Sequence, residues 1–484
     1  MKAVFIIPNR NFVIDNNGRK AKQPARVPAS ALSVIGALEA NGFETELIDT
    51  VDEGFDNEIE VSRDFYQFGM RDEDVIEKIA RSNADVIMCT SMFTSEQACV
   101  DTLCKNIKNE FPEKPLILGG LHATLRPEWH FEKVHYDAIV LGDGEEIVVD
   151  LMKRIEMKTI QSTKNVAVKT DTGIYFEKRR PHIDISKWDW GIDTVLIKPD
   201  GSFRYIEKRH DSPIDSLYRP EKPSKSFILL NSRGCPFSCD YCGSTDKDGK
   251  RIRYRNFQKI ISEVSYLYEK YGIRNFHNQA DAFLLHQKDW EFLKFITEYR
   301  KTNPDLSIDN PNAFFLYLFF DKMNGYSLRT DLVDLLYDAG FSAITIAIET
   351  FSQRFNQKIN FRKIPPEKVI DLLAYIRSKG MMTDVYMMYG FPGQTEDELK
   401  EDLNMIDKMR DYLDSLFYRS LLLFPGTTYY ELYVGEKKKI KEIDYKAALN
   451  NGYCFGHMPK NFNLTQIPYD RLTSLTKNIS FVDP

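Results

Sequence analysis

The sequence predicts two α/β domains in series: an N-terminal doubly wound parallel sheet, then a six-unit (β/α)6 partial barrel, closed by a small C-terminal extension. Three observations carry this. Short apolar, β-branched runs alternate with stretches of helical period as far as about residue 158, the pattern of parallel strands joined by helices. The alternation lapses over residues 159–224 and resumes as six strand–helix units over 225–430. Finally, 484 residues are more than one domain usually takes.

In order, "KAVFIIP" reads as a strand and "PASALSVIGALEANG" as a helix capped at Gly42. "ETELIDT" is the second strand, "DEDVIEKIARSN" a helix and "ADVIMCTS" the third strand. "EQACVDTLCKNIKNEF" is a helix, "PLILGG" the fourth strand, "YDAIVLGDG" the fifth, and a helix follows from Glu145 to about Glu156. Ligands of such sheets bind beyond the carboxyl ends of the strands. Those ends read "CTSMFTS", "GGLHAT" and "GDGEE", small and polar enough for a large flat ligand to lie close to the backbone. The connector, 159–224, holds a hairpin, "NVAVKTDTGIYFEKRR", turning at Asp171-Thr172-Gly173, and a Pro- and Ser-rich linker, "DSPIDSLYRPEKPSK".

The barrel strands are "SFILLNS", "RNFHNQAD", "LSIDNPNA", "SAITIAIE", "TDVYMMYG" and "SLFYRSLLLF". Helices of period 3.6 stand between them, and the last opens with Thr395 and Glu398 in capping-box spacing. By analogy with eight-stranded barrels, loops at the carboxyl ends of the strands build the active site. Residues 431–484 form the extension.

Composition is that of a globular protein, 43% apolar and 28% charged. A net charge of −6 gives no basic footprint for nucleic acid. No apolar run is long enough to span a bilayer, and "MKAVFIIPNR" lacks the parts of a signal peptide, so a reducing cytoplasm is expected. There the seven cysteines are not expected to pair as structural disulfides. Cys89, Cys99, Cys104 and Cys454 are scattered and read as inert thiols.

The other three, Cys235, Cys239 and Cys242, lie in "NSRGCPFSCDYCGS", directly after the first barrel strand. A structural zinc ion normally takes four ligands, and the nearest histidines, His210 and His277, are not close in sequence. A cubane iron–sulfur cluster also takes four, so three thiolates leave one iron open. An open iron at the mouth of a barrel is a place for chemistry; a zinc knuckle is the rival reading.

This C-x-x-x-C-x-x-C loop at the head of a six-unit barrel resembles the radical S-adenosylmethionine (SAM) superfamily. The resemblance implies a 4Fe-4S cluster on the three cysteines and SAM chelated to its open iron. Tyr241 matches the family's adenine-side aromatic. "IAIETFS" resembles its G-x-E-S segment, with Glu349 as the acid and Ala347 and Thr350 in place of Gly and Ser. "YGFPGQTEDE" resembles "GLPGET" through Gly390 and Pro392, and "LFPGTTYY" resembles the close of the sixth strand. "NQADAF" keeps one acid, Asp281, of a "DDxF" segment, with Ala280 where the other often stands; the resemblance implies SAM contacts from Tyr241, Asp281, Glu349, Gly390 and Pro392. For these acids the plain alternative is a helix cap.

The N-terminal domain resembles the cobalamin-binding domain fused to one branch of that superfamily, through "RVPASALSVIGALEANGFETELID", "GGLHAT" and "LGDGEE". The resemblance implies corrin contacts from Ser91, Thr94, Gly119, Gly120, Gly142, Gly144 and Glu145. It also implies that side chains added at Gly120 or Gly142 would fill the corrin's space. No D-x-H-x-x-G is present, and neither His122 nor His130 sits in that pattern. The alternative is a sheet that holds no corrin.

The resemblance implies an enzyme that cleaves SAM to methionine and a 5′-deoxyadenosyl radical. This radical takes hydrogen from an unactivated carbon of a small-molecule substrate, and methylcobalamin then methylates it. An electron donor such as flavodoxin or ferredoxin is implied as partner. Two alternatives remain: cyclisation, rearrangement or oxidation on the same scaffold, or a non-catalytic cobalamin and iron–sulfur sensor. A low-polarity pocket suits radicals, and "NAFFLYLFF" could line it, although core packing accounts for most of its residues.

Overall fold

The structure is a computed structural model that describes residues 1–14, 20, 22, 27–62, 65–160, 163–175, 182–205, 226–244, 249–355, 364–453, 458–477, 479, 481 and 482. The proline-rich linker, His210 and Cys454 lie outside the described residues. The chain divides into two units. The first is Met1–Lys208, Gly243–Gly249 and Leu423–His457; the second is Arg209–Cys242, Lys250–Leu422 and Met458–Pro484.

In the first unit, strands Lys2–Ile7, Glu44–Asp49, Val86–Thr90, Leu116–Gly119 and Ala138–Val140 form the parallel body of one sheet. In chain order they lie 2-1-3-4-5, a doubly wound arrangement whose order reverses between the first and third strands. The sheet is nevertheless mixed. Strand Val166–Thr170 adds antiparallel beside Ala138–Val140, and Gly173–Tyr175 completes the hairpin beyond it. A second sheet, Arg10–Val13, Phe65–Phe68 and Glu58–Ser62, is antiparallel and lies outside the sequence expectation. Its strands are four or five residues long, too short for a periodic signal, and among the described residues Phe12, Phe68 and Val51 form a small core beside it.

The helices match their reading closely, because strong 3.6 periodicity and end signals agree. Asp72–Ser82 opens on three acids, buries Val75 and Ile79, and stops at Asn83 in the left-handed region, φ 52°. Helix Ala29–Ala40 carries Gly36 at its middle for a steric reason: a Cβ there would stand 2.1 Å from the Asp189 carbonyl oxygen. Residues 423–457 belong to the first unit. Arg126 Nη2 meets Glu431 Oε1 at 2.8 Å, and the ammonium of Lys446 sits 4.4 Å over the Trp129 ring.

In the second unit, strands Ser226–Leu229, Asn275–Asn278 and Ser307–Asp309 are parallel neighbours. So are Ala343–Glu349, Met382–Tyr389 and Ser415–Ser420, and a bridge from Ile308 to Phe341 links the two sets. This is the expected six-strand series with a helix after each of the first five. Strand Phe481–Val482 closes the series, antiparallel to the sixth. Helix Glu396–Met409 has the capping box: Thr395 Oγ1 accepts from Glu398 N, and Glu398 Oε2 accepts from Thr395 N at 2.9 Å.

Candidate functional site

The cysteine loop leaves the first barrel strand and turns back through Cys242 N donating to the Cys239 carbonyl at 3.0 Å. Cys235 is buried; Cys239 and Cys242 are partly exposed. Burial pushes Cys235 up to about 11 and Cys239 to about 12, and the charge of the neighbouring Cys242 adds to both. Three thiols so placed suit a strongly cationic partner. Among the described residues no three His, Cys, Asp or Glu gather to hold a single ion. A cubane does not ask for that, since each thiolate binds a different iron.

Tyr241 lies inside this loop, and Asp281 and Glu349 stand beside it. Asp281, after the second strand, accepts from Gly234 N at 3.2 Å, and its charge is felt at Cys235. Tyr241 hydrogen-bonds both Cys239 and Glu349. Burial raises Glu349 to about 7, against the pull of the Tyr241 hydroxyl. The Tyr241 ring meets Phe391 edge-on at 6.5 Å, one residue before Pro392. Gly390 turns the fifth strand's end at φ 90°, its N–H donating to Gln394 Oε1 at 2.7 Å. The far side of that turn is held by residues 458–477: Gly393 N donates to the Leu464 carbonyl at 2.8 Å, and Gln466 N to the Gln394 carbonyl at 2.9 Å.

Glu349 itself is strained. It has φ 67°, a ladder irregularity precedes it, and Thr350 N donates back to the Ile348 carbonyl at 2.9 Å. An i to i+2 bond about a positive φ is a γ-turn of the rare, strained kind, in a region that costs a side-chain-bearing residue on the order of 1–3 kcal/mol. Of "NAFFLYLFF", Phe314, Leu316, Phe319 and Phe320 are core, whereas Phe315 and Tyr317 stack at 5.8 Å and both reach Phe237 of the cysteine loop.

Sequence reasoning missed Asp402 and the barrel's polar interior. Asp402 is fully buried on helix Glu396–Met409, and its carboxylate accepts from Phe351 N at 2.6 Å and from Thr350 Oγ1 at 3.0 Å. A signal existed: it occupies a place in the apolar stripe Leu399, Met405, Ile406, Met409, where a carboxylate rarely goes without a partner. Inside the barrel, His277 Nδ1 meets Asp309 Oδ2 at 2.7 Å, and Asp384 accepts from Ser415 and Thr345. Those residues face one another only once the strands are in register.

In the first unit the expected corrin residues collect at the carboxyl ends of the parallel strands. Ser91 is fully buried with its Oγ unpartnered, and Thr94 begins a short helical turn. Gly119 is bare: an added Cβ would meet nothing nearer than Val140 at 3.9 Å. Gly142 (φ 88°) donates to Thr124 Oγ1 at 3.1 Å; Gly144 and buried Glu145 open the helix Glu145–Glu156. This bare, small-residue edge with a buried unpartnered hydroxyl suits a flat ligand lying on the backbone. The expectation for Gly120 changes, however. A Cβ there would stand 2.5 Å from the Ser91 carbonyl oxygen, and φ is 102°, so the fold itself requires glycine. His122 and His130 point elsewhere: His122 Nε2 meets Gln97 Oε1 at 3.1 Å, and His130 Nδ1 meets Asp101 Oδ1 at 2.5 Å.

Residues 27–152 match the family model described as the B12 binding domain, and residues 231–406 that of the radical SAM superfamily. The chain is 24% identical over 423 residues to cytidylyl-2-hydroxyethylphosphonate methyltransferase of Streptomyces wedmorensis, covering 81% of this chain and 74% of that one. Among solved structures it resembles the radical SAM methyltransferase TsrM of Kitasatospora setae, with tryptophan and a SAM analogue bound. The TM-score is 0.64 at 18% identity, over 88% of this chain and 74% of that one. The cobalamin-dependent SAM radical enzyme OxsB, with aqua-cobalamin and SAM bound, gives 0.61 at 15% identity, over 98% of this chain and 60% of that one. No helix among the described residues is long and apolar enough to cross a membrane.

Proposed function

We propose that this chain, a B12-binding domain followed by a radical SAM domain, methylates an unactivated carbon of a small molecule. Support comes from the two domain matches and the methyltransferase relatives. The single observation that carries the reading is the gathering of the cysteine loop with Tyr241, Asp281 and Glu349 at one end of the barrel.

In this reading Cys235, Cys239 and Cys242 hold a 4Fe-4S cluster. Glu349, Tyr241 and Asp281 contact the nucleoside and methionine parts of SAM, Asp281 also supporting the cysteine loop through Gly234 N. Gly390 and Pro392 form the adenine wall. Ser91, Thr94, Gly119, Gly120, Gly142, Gly144 and Glu145 edge the cobalamin site. When bound, these groups supply the electron, the hydrogen-abstracting radical and the methyl group. The chain's part is orientation and dryness. The aromatics Phe237, Phe315 and Tyr317 exclude water beside the cluster loop. Reduction comes from a flavodoxin or ferredoxin, and the setting is the cytoplasm.

The test uses anaerobically reconstituted protein with reductant, cobalamin, methyl-labelled SAM and a small-molecule extract of the source cells. Release of 5′-deoxyadenosine, with label in a product heavier by one methylene, supports the proposal. Release of 5′-deoxyadenosine with no such product points to a different radical outcome. No release at all overturns the enzyme reading.

A further inference from the structure

We infer that Asp402 is a positioning residue for SAM: from helix Glu396–Met409 it locks the strained turn that aims Glu349 at the cluster loop. The inference rests on the SAM-binding role proposed for Glu349 and assigns a cause to that residue's geometry.

A positive-φ γ-turn at a glutamate does not hold itself. Such strain persists only where the surroundings over-determine the backbone. Here the two residues after Glu349 are both bound by one carboxylate. Phe351 N donates to Asp402 Oδ1 at 2.6 Å, and Thr350 Oγ1 lies 3.0 Å from each Asp402 oxygen. Ser352 N then donates to Thr350 Oγ1 at 3.1 Å, extending the lock by one residue. Tyr418, on the sixth strand, adds its hydroxyl to Asp402 Oδ2 at 3.4 Å.

None of these contacts is a cation, and burial raises Asp402 to about 7 against the three donors. A buried carboxylate is costly to keep, and an apolar residue at this place in the helix stripe would pack without that cost. What the carboxylate supplies is two acceptors at one point, which an apolar side chain cannot.

One turn earlier on the helix, Glu398 serves the same loop. Its Oε1 accepts from Ser352 Oγ at 3.2 Å and from Arg354 Nε at 2.7 Å. Arg354 Nη2 in turn donates to the Gly393 carbonyl at 2.8 Å. The helix therefore ties the loop after the fourth strand to the turn after the fifth. These carry Glu349 and Gly390–Pro392, the two sides proposed to hold SAM. Displacing one by about 1 Å is the kind of error that costs about a hundredfold in a positioned site.

The experiment compares the parent with Asp402→Ala, Asp402→Asn, Thr350→Val and Glu349→Gln, each as the full chain. Iron content, SAM affinity of the cluster-loaded protein, and hydrogen exchange of residues 343–355 before loading are measured. Asp402→Ala is expected to keep its iron, lose protection over 349–352, and bind SAM at least about tenfold more weakly. Asp402→Asn keeps an acceptor for Phe351 N and is expected to recover most of that affinity. Thr350→Val, the milder lesion, decides the matter if Asp402→Ala does not fold; it should weaken SAM binding with iron unchanged. Parental SAM affinity in Asp402→Ala, or in Thr350→Val where that variant decides, overturns the inference. If Glu349→Gln alone binds SAM weakly, only the role of Asp402 falls. If Glu349→Gln also binds normally, the proposed contact of Glu349 falls with it.

Discussion

The hydroxyl of Tyr241 hydrogen-bonds the carboxylate of Glu349, so a residue inside the cysteine loop touches the acid that ends the fourth barrel strand. The two are 108 positions apart in the chain, and the barrel closes that gap. The same tyrosine hydrogen-bonds Cys239. Thiol, phenol and carboxylate thus form one connected set.

Cys239→Ala removes a thiol from that set. The parent, reconstituted without oxygen, should carry about four irons and four sulfides per chain. The variant should carry almost none and release no 5′-deoxyadenosine. Parental iron in the variant would sink the cluster assignment.

Glu349→Gln keeps the shape and removes the charge. If Glu349 makes a charge-assisted hydrogen bond to SAM, its loss costs about 1.5–3 kcal/mol, or one to two orders of magnitude in affinity. Iron content should not change. Titration with SAM, followed by the cluster's magnetic resonance signal, is the measurement.

Gly119→Val tests the corrin edge without the backbone clash that rules out Gly120. Its Cβ enters open space, and valine suits a strand end. The variant should fold, take up iron normally and lose the visible absorption of bound cobalamin. Undiminished cobalamin uptake would exclude a corrin lying over Gly119.

Asp384→Asn tests the barrel's polar interior. Burial raises Asp384 from 3.8 to about 6. Its folded pKa exceeds its unfolded one, so its contribution to stability is full below about pH 4 and lost as pH rises through about 6. The asparagine variant does not titrate there. Relative to the parent, its denaturation midpoint should fall less between pH 4 and pH 7. Equal slopes for the two proteins would show that Asp384 has an ordinary pKa.

The sequence by itself determined what local physics decides. Alternating strand and helix periods, the left-handed stops at Gly42 and Asn83 and the Thr395–Glu398 capping box all involve residues a few positions apart. The cysteine loop was legible for the same reason, because all three thiols lie within eight residues. Only the tertiary structure decided the contacts made across long separations. The antiparallel sheet at Arg10–Val13 has too few residues per strand to show a period. The packing of 423–457 with the first unit depends on pairs such as Arg126 with Glu431, which no local pattern links. Asp402 interrupts the apolar stripe of its helix, but its partners become known only when the fold brings it beneath Thr350 and Phe351, where the buried carboxylate locks the backbone. Gly120 shows the same limit from the other side. Its chain position suggested room for a ligand, but a carbonyl twenty-nine residues away, at Ser91, already occupies the space a side chain would need.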